Sequence, residues 1–227
     1  MSALAGSMKT IAILPVKAFG AAKQRLAPSV VGRERRALAE AMLADVLAAL
    51  SRVPDLADVA VVTADARARE AALAVGARVV PDAEQAGQSP AAVAGIGHAL
   101  ASGAARVLLV PGDTPLLDAV ELSELLARAA RRAPSVTIVP DRHGTGTNAL
   151  VLDPPDAIAP SFGPGSFERH RAAAEAAGLP VLVERTPTLM LDVDTGDDLG
   201  ELVAQLAARA GAAPATRATL APSRVTA

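Results

Sequence analysis

The stretch VLLVPGDTPLL, residues 107–117, indicates the class of fold. Four apolar residues and a proline lead into Gly112 and Asp113, after which the chain becomes apolar again. Such a run is typical of a strand that is buried on both faces, as in a parallel sheet covered by helices. A buried carboxylate without a partner costs several kcal/mol. Asp113 must therefore face solvent beyond the strand or be balanced by a positive charge.

Short apolar runs like this one alternate with stretches of helical period along the chain. The predicted strands are residues 10–16, 58–64, 77–81, 106–112, 135–140, 148–153, 180–184 and 188–194. Two intervening segments carry an apolar stripe at helical spacing, made of Leu43, Val46, Leu47 and Leu50 and of Leu122, Leu125, Leu126 and Ala129. The alternation predicts an α/β fold: one three-layer αβα domain around a mostly parallel, partly mixed, Rossmann-like sheet.

Local signals set the expected ends of helices and of the domain. Asp118 with Glu121, and Thr195 with Asp198, have the spacing of a capping box at a helix start. Residues 1–8 are expected to be a flexible extension and residues 9–210 to form the domain. The Ala/Pro/Thr-rich residues 211–227 lack periodicity, which predicts a disordered tail.

Composition excludes several classes of function. The chain has 227 residues with 22 basic and 24 acidic side chains, so its formal charge of −2 gives no basic field for nucleic acid or membranes. It has no Cys, which excludes disulfides, thiolate zinc sites and a Cys nucleophile. It has neither a long apolar run nor a signal-peptide layout, so we expect a cytoplasmic protein that binds neither membranes nor nucleic acid.

The loop after the first strand is rich in cations. LPVKAFGAAKQRLAP, residues 14–28, contains Lys17, Lys23 and Arg25 among small residues. Ligands of open α/β sheets bind beyond the carboxyl ends of the strands, and such a loop suits a polyphosphate. It matches neither the P-loop nor the GxGxxG pattern. A solvated basic loop explains the composition equally well.

A second acidic segment is LMLDVDTGDDL, residues 189–199. On a regular strand Asp192 and Asp194 share one face about 6–7 Å apart, which is unfavourable without a cation. Asp197 and Asp198 instead fit the first turn of a helix. Asp113, Asp192 and Asp194 are hard oxygen ligands suited to Mg²⁺, with phosphate oxygens completing the shell. For Asp113 the alternative is a cap on the turn before Pro115.

Two glycine-containing loops follow. DRHGTGTNAL, residues 141–150, forms a hydroxyl-rich turn, and SFGPGSFERH, residues 161–170, places Ser166 as a helix N-cap with free amides for an anion. Ordinary turns account for both compositions. The three His residues have no metal-ligand spacing and no GxSxG elbow occurs, so His98, His143 and His170 are expected to be structural or solvent-facing.

In this order, the motifs PVK, AKxRLAP, PxDxPLL, GTGTN, FGxGSFxxH and LDVDTxxDL resemble one family from about Ile11 to Leu202. The chain is similar to the 2-phospho-L-lactate/phosphoenolpyruvate guanylyltransferases of coenzyme F-420 biosynthesis, which have a glycosyltransferase-A-like nucleotidyltransferase fold. The resemblance implies transfer of GMP from GTP to a phosphorylated three-carbon acid with release of pyrophosphate. It also implies small-molecule partners and a handover of the unstable product to the next enzyme.

The resemblance also assigns residues by position. It places the nucleotide at Pro15, Lys17, Lys23, Arg25, Gln88 and Ser89, and the phospho-acid at Thr147, Asn148, Gly163 and Ser166. It places Mg²⁺ at Asp113, Asp192 and Asp194, and it implies catalytic roles for Lys17, Lys23 and Asp113. One segment departs from the family pattern: a Gly-Leu-Asn-Ala-Ala turn is expected where this chain reads GQSPAAV, residues 87–93. Guanine selection is thus less well specified than the fold.

Three other functions remain open from the residues. A glycosyltransferase of this sheet class needs a DxD motif where the chain has Asp113-Thr114-Pro115, and a molybdenum-cofactor-type nucleotidyltransferase needs a Gly-Gly, Arg-rich first loop. A non-catalytic nucleotide-binding module would bind GTP and release no pyrophosphate. Among acceptors, 3-phosphoglycerate also remains open. The Ala/Arg-rich composition indicates a GC-rich genome, and phosphoenolpyruvate is favoured by this association and not by the chemistry of any residue.

Overall fold

The structure is a computed structural model that describes residues 9–19, 26 and 32–221. Within these residues the strands are β1 (Thr10–Val16), β2 (Leu56–Thr63), β3 (Arg78–Pro81), β4 (Arg106–Leu109), β5 (Ser135–Pro140), β6 (Thr147–Asp153) and β7 (Val181–Val183). The helices are α1 (Gly32–Leu50), α2 (Ala66–Ala74), α3 (Gln88–Ala101), α4 (Ala119–Ala130), α5 (Ser166–Ala176), α6 (Gly196–Ala208) and α7 (Pro214–Leu220).

The strands form one mixed sheet in the order β3-β2-β1-β4-β6-β5-β7. Strands β3, β2, β1 and β4 are parallel, β6 is antiparallel to both β4 and β5, and β7 is parallel to β5. This confirms the predicted α/β class and the mostly parallel sheet that is mixed on one side. Strand β4 is shorter than predicted and ends at Leu109, although Val110 still donates to the Ile13 carbonyl.

Helices cover both faces of the sheet, because the buried strands are apolar on both faces. Along β1, Ile11 and Ile13 pack with α3 and α5, whereas Ala12 and Leu14 pack with α1, α2 and α4. Both predicted helical stripes are buried, as their spacing requires. A third cluster joins α1 to α6 through Leu38, Met42 and Leu202, among others. The three-layer prediction is confirmed.

The predicted strand at 188–194 is wrong. Leu189, Leu191 and Val193 are buried, but these residues form no strand in the described structure. The Val193 amide instead donates to the Asp113 carbonyl at 3.2 Å. Leu189 packs in one core cluster, and Leu191 and Val193 pack in another. Buried and half-buried residues therefore alternate as in a strand, although no strand among the described residues pairs with the segment.

The predicted disorder of the tail is wrong for residues 214–220, which form α7. Asp45 of α1 is buried and accepts hydrogen bonds from the Ala215 and Thr216 amides at 3.0 and 2.8 Å. The helix start is thus capped by a carboxylate distant in sequence. Residues 1–8 and 222–227 lie outside the described residues, so the predictions for them stay predictions.

Both predicted helix starts are present. Asp118 caps α4, and Thr195 with Asp198 forms a reciprocal capping box on α6. Glu121 does not complete a box with Asp118, because its carboxylate accepts from the amide and hydroxyl of Thr188. No helix within the described ranges is long and apolar enough to cross a membrane.

Candidate active site

One cleft lies beyond the carboxyl ends of β1, β4 and β5 and the first residues of β6. It consists of a polar cavity of about 840 Å³ and an adjoining, more apolar cavity of about 230 Å³. Both cavities are lined by Lys17, Gln88, Pro111, Asp113 and Asp194. This is the edge at which open α/β sheets bind ligands.

The β1 end contributes a cation to the cleft. Lys17 is exposed and lines both cavities, and Pro15 lines the smaller one. The chain is held here because the Phe19 amide donates to Asp65 Oδ2 at 2.9 Å, while Asp65 also caps α2. Lys23 and Arg25 lie outside the described residues, so their assignment stays a prediction.

The divergent GQSPAAV segment forms the start of α3. Gln88 is the first residue of the helix and lines both cavities, and Gly87 before it has φ 119°, a conformation that favours glycine. Ser89, predicted as a nucleotide contact, is not among the residues that line either cavity. Its hydroxyl accepts from the Phe162 amide at 2.8 Å, so it supports the loop at 161–164.

Three carboxylates line the cleft. Asp113 lies four residues after the end of β4, whereas the predicted strand would have placed it one residue after the end. Asp192 and Asp194 flank Val193, whose amide donates to the Asp113 carbonyl. Burial and, to a lesser extent, the charges of Asp113 and Asp194 together raise the pKa of Asp192 from 3.8 to about 6, although a hydrogen bond from Asn148 opposes the shift. The fold thus concentrates negative charge here, as the sequence predicted.

The acidic wall offers only part of a metal site. Within residues 9–19, 26 and 32–221, no three acidic or histidine side chains are close enough together to hold a metal ion. The donor set still fits a hard cation, because Asp192 is half-buried beside two like charges that a cation would offset. Mg²⁺ commonly takes one or two carboxylates and fills its shell with phosphate oxygens and water, which matches this arrangement.

The opposite wall is built by the start of β6 and by the loop before α5. Thr147, Asn148, Gly163 and Ser166, to which the resemblance assigns the phospho-acid, all line the larger cavity. The Asn148 amide donates to the Leu189 carbonyl at 2.9 Å and to Asp192 Oδ1 at 3.2 Å, so it ties the two walls together.

The predicted N-cap at Ser166 is wrong by one residue. Gly165 is the N-cap of α5, with φ 72°, and Ser166 is the first helical residue. The expected free amides are also engaged: the Ser166 amide donates to the Gly163 carbonyl and the Phe167 amide to the Thr145 carbonyl. The wall therefore presents side chains and the Gly163 backbone more than an open helix terminus.

Sequence reasoning missed several lining residues, of which Asp141 is the most informative. Asp141 follows β5 directly, so the rule that singled out Asp113 would also have found it. Its Oδ1 accepts from the Thr145 amide at 2.9 Å, which shapes the turn into β6. A Cβ on Gly146 would lie 2.6 Å from Asp141 Oδ2, so a larger residue there would displace the Asp141 carboxylate. Gln85, Ala86 and Phe162 also line the larger cavity.

A family described as "Guanylyl transferase CofC like" matches residues 10–209, which include every residue named above as lining the cleft. The chain belongs to this family.

Named relatives cover nearly the whole chain. A phosphoenolpyruvate guanylyltransferase of Conexibacter woesei is 49% identical, covering 94% of this chain and 96% of the relative. A 2-phospho-L-lactate guanylyltransferase of Methanothermobacter thermautotrophicus is 38% identical over 86% of this chain and 85% of its own. Among solved structures, a protein described as a nucleotide-diphospho-sugar transferase from Desulfovibrio desulfuricans superposes with a TM-score of 0.73, at 20% identity, covering 93% of each chain. The structural match shows the fold and the relatives show the family.

Proposed function

We propose that this chain is a guanylyltransferase that transfers GMP from GTP to a phosphorylated three-carbon acid and releases pyrophosphate, as a step of coenzyme F-420 biosynthesis. The observation that carries the proposal is the family match over residues 10–209, which spans all the described cleft residues. Relatives at 49% and 38% identity are named guanylyltransferases of such acids. The cleft supports the proposal with a lysine and an acidic wall on one side and hydroxyl and glycine groups on the other.

The reaction needs no protein base. The phosphate of the acceptor is largely ionised at neutral pH, so one of its oxygens can attack the α-phosphorus of GTP. A P–O bond forms there as the bond to the β-phosphate oxygen breaks, and pyrophosphate leaves. Lys17 is placed to balance charge on the phosphates, and Lys23 and Arg25 are assigned the same role by resemblance. Alignment and charge neutralisation account for catalysis of this kind.

One or two of the carboxylates of Asp113, Asp192 and Asp194 would hold a divalent cation such as Mg²⁺ beside the triphosphate, with phosphate oxygens and water completing its shell. When bound, the ion neutralises charge on the phosphates and on the leaving pyrophosphate. Asn148 then orients Asp192, because its amide donates to Oδ1 of that carboxylate. Thr147, Gly163 and Ser166 would receive the phospho-acid, whose oxygens accept hydrogen bonds; we call them, with Asn148, the phospho-acid subsite.

Guanine selection is proposed to involve Gln88, since this is the polar side chain of the divergent GQSPAAV segment that lines the cleft. Phosphoenolpyruvate is the favoured acceptor because the 49% identical relative carries that name, and 2-phospho-L-lactate is the second candidate because of the 38% identical relative. A cytoplasmic location and handover of the reactive product to the next enzyme follow from these substrates as part of the same proposal.

The test measures pyrophosphate. The protein is incubated with Mg²⁺, GTP and, in separate reactions, phosphoenolpyruvate, 2-phospho-L-lactate or 3-phosphoglycerate, with ATP replacing GTP as a control. Release that requires GTP and one of the first two acids is expected. Release only with 3-phosphoglycerate would assign another acceptor. GTP binding without release in any reaction would make the chain a nucleotide-binding module and overturn the proposal.

A further inference from the structure

His170 is a buried histidine beside the phospho-acid subsite to which the proposed chemistry gives no role. It lies on α5, none of its surface is exposed, and its ring packs edge-on against Phe162 with centroids 5.2 Å apart. One ring nitrogen contacts Thr147 of the subsite, and the other contacts the loop that contains Gly163. Nδ1 lies 3.0 Å from Thr147 Oγ1, and Nε2 accepts from the Ser161 amide at 2.8 Å.

These two contacts fix the position of the ring proton. A backbone amide only donates, so Nε2 must be the unprotonated nitrogen that accepts from Ser161. A neutral imidazole then carries its proton on Nδ1, which donates to Thr147 Oγ1. The Thr147 oxygen is thereby occupied as an acceptor on the His170 side. The hydroxyl proton of Thr147 is therefore directed away from His170. Thr147 lines the cleft, so this proton can be donated to a group bound there.

The second contact belongs to a set that fixes the loop at 161–164. The Phe162 amide donates to Ser89 Oγ, and Arg169 donates to Ser161 Oγ and to the carbonyls of Ser161, Phe162 and Pro164. Gly163 lies inside this loop with φ 103°, and it lines the same cavity as Thr147. One side chain, His170, therefore contacts both the loop and the strand that make up the subsite.

We propose that His170 is a positioning residue for the phospho-acid: Nδ1–H turns Thr147 into a hydroxyl donor toward the cleft, and Nε2 sets the distance of the Gly163 loop from it. The inference rests on the proposed function. A hydroxyl whose proton points into the cleft favours oxygens that only accept, which are those of a carboxylate or phosphate. A neutral ring is required, because a cation would donate at both nitrogens and oppose the Ser161 amide.

The surroundings keep the ring neutral. Burial and, to a lesser extent, the charge of Arg169 together lower the pKa of His170 to about 4. The groups that face the ring from β6 and from the loop are Thr147, Ser161 and Phe162, all uncharged. The arrangement thus persists across the neutral pH range.

Two substitutions separate the two contacts. His170→Asn places an amide N–H near the position of Nδ1, which keeps the bond to Thr147 and loses the acceptor for Ser161. His170→Gln extends a carbonyl to about the position of Nε2, which keeps the loop contact and loses the donor. His170→Gln loses the hydrogen bond to Thr147 Oγ1, so we expect its KM for the phospho-acid to be about threefold to tenfold higher. The KM for GTP should change by less than about twofold, since Thr147 belongs to the phospho-acid subsite.

A double-mutant cycle distinguishes positioning from a structural role. In a Thr147→Val background His170→Gln should have no further effect on the phospho-acid KM, because its effect acts through the hydroxyl that is now absent. His170→Asn should still raise that KM in the same background, since it acts through the loop. Equal rises in both KM values, or additive effects of Thr147→Val and His170→Gln, would overturn the proposal.

A spectroscopic measurement on the unaltered protein decides the same point without turnover. Nitrogen-15 NMR of histidine-labelled protein should show His170 as the neutral Nδ1–H tautomer from about pH 6 to about pH 8. An Nε2–H tautomer or a charged ring in that range would refute the inference even if every variant failed to fold. Failure of the proposed function would appear separately, as absent pyrophosphate release by a protein with the expected tautomer.

Discussion

Replacing Asp192 by Asn should stabilise the ligand-free protein at neutral pH while it removes activity. Burial and the charges of Asp113 and Asp194 raise the pKa of Asp192 from 3.8 to about 6 in the folded state. Ionising this carboxyl therefore costs more in the folded than in the unfolded protein. Each unit of pKa corresponds to about 1.4 kcal/mol, so a shift of about two units corresponds at most to about 3 kcal/mol.

The sign of the effect depends on pH. Below about pH 3 the carboxyl is protonated in both states, and the wild type carries no penalty. As the pH rises from about 3 to about 6, the unfolded chain loses its proton first and the folded state becomes relatively less stable. Asn at position 192 resembles the protonated acid and can still accept from the Asn148 amide. The gain from Asp192→Asn should therefore be near zero at about pH 3 and reach about 1–3 kcal/mol above about pH 6.

The assay is thermal unfolding of both proteins in EDTA at about pH 3 and about pH 8. For a chain of this size 1 kcal/mol shifts Tm by about 2–4 °C, so a rise of about 2–12 °C is expected at the higher pH alone. Asp197→Asn is the matched control, because Asp197 is an exposed acid in the first turn of α6 and its loss should change stability by about 0.5 kcal/mol or less. An equal gain at both pH values, or a loss at pH 8, would refute the reasoning.

Three further predictions follow from the cleft and the core. Asp113→Asn should abolish pyrophosphate release while the circular dichroism spectrum is unchanged, and full activity at saturating Mg²⁺ would remove Asp113 from the proposed metal site. Gly95→Ala should lower the free energy of unfolding in urea by about 1–3 kcal/mol, because its Cβ would lie 2.3 Å from a β1 side chain. Gly97→Ala, with open space around it on the same helix, should be neutral or slightly stabilising. Gly146→Ala should raise the phospho-acid KM by about tenfold, because its Cβ would displace Asp141 and the turn into β6; an unchanged KM would contradict this.

The sequence predicted best what depends on local periodicity. The stripe that includes Leu43 and Leu47 and the capping pair of Thr195 with Asp198 have the predicted positions, because neighbours along the chain determine them. The segment at 188–194 shows the limit of this reasoning. Its alternation correctly predicted that Asp192 and Asp194 line the same cleft, but alternation reports which side a residue faces and not whether a strand pairs with it.

Features that depend on distant residues were not predictable in this way. Helix α7 has too little apolar surface to be recognised, and its cap comes from Asp45, far earlier in the chain. Ser89 directly follows Gln88, which lines the cleft, yet the Ser89 hydroxyl accepts a hydrogen bond from the Phe162 amide of the loop at 161–164. His170 was expected to be structural or solvent-facing, and only the folded chain shows that it contacts both Thr147 and Ser161.

The reversed direction of β6 has a consequence for how this cleft can change. The half of the cleft proposed to bind the nucleotide is built by the parallel strands, whereas the half proposed to bind the acceptor comes from the β5–β6 hairpin and the loop that follows it. Insertions or exchanges within residues 141–146 or 161–165 can therefore reshape the acceptor half without moving β1 or β4. A modular division of this kind would let one ancestral scaffold serve enzymes that differ in their three-carbon acid while their nucleotide stays the same.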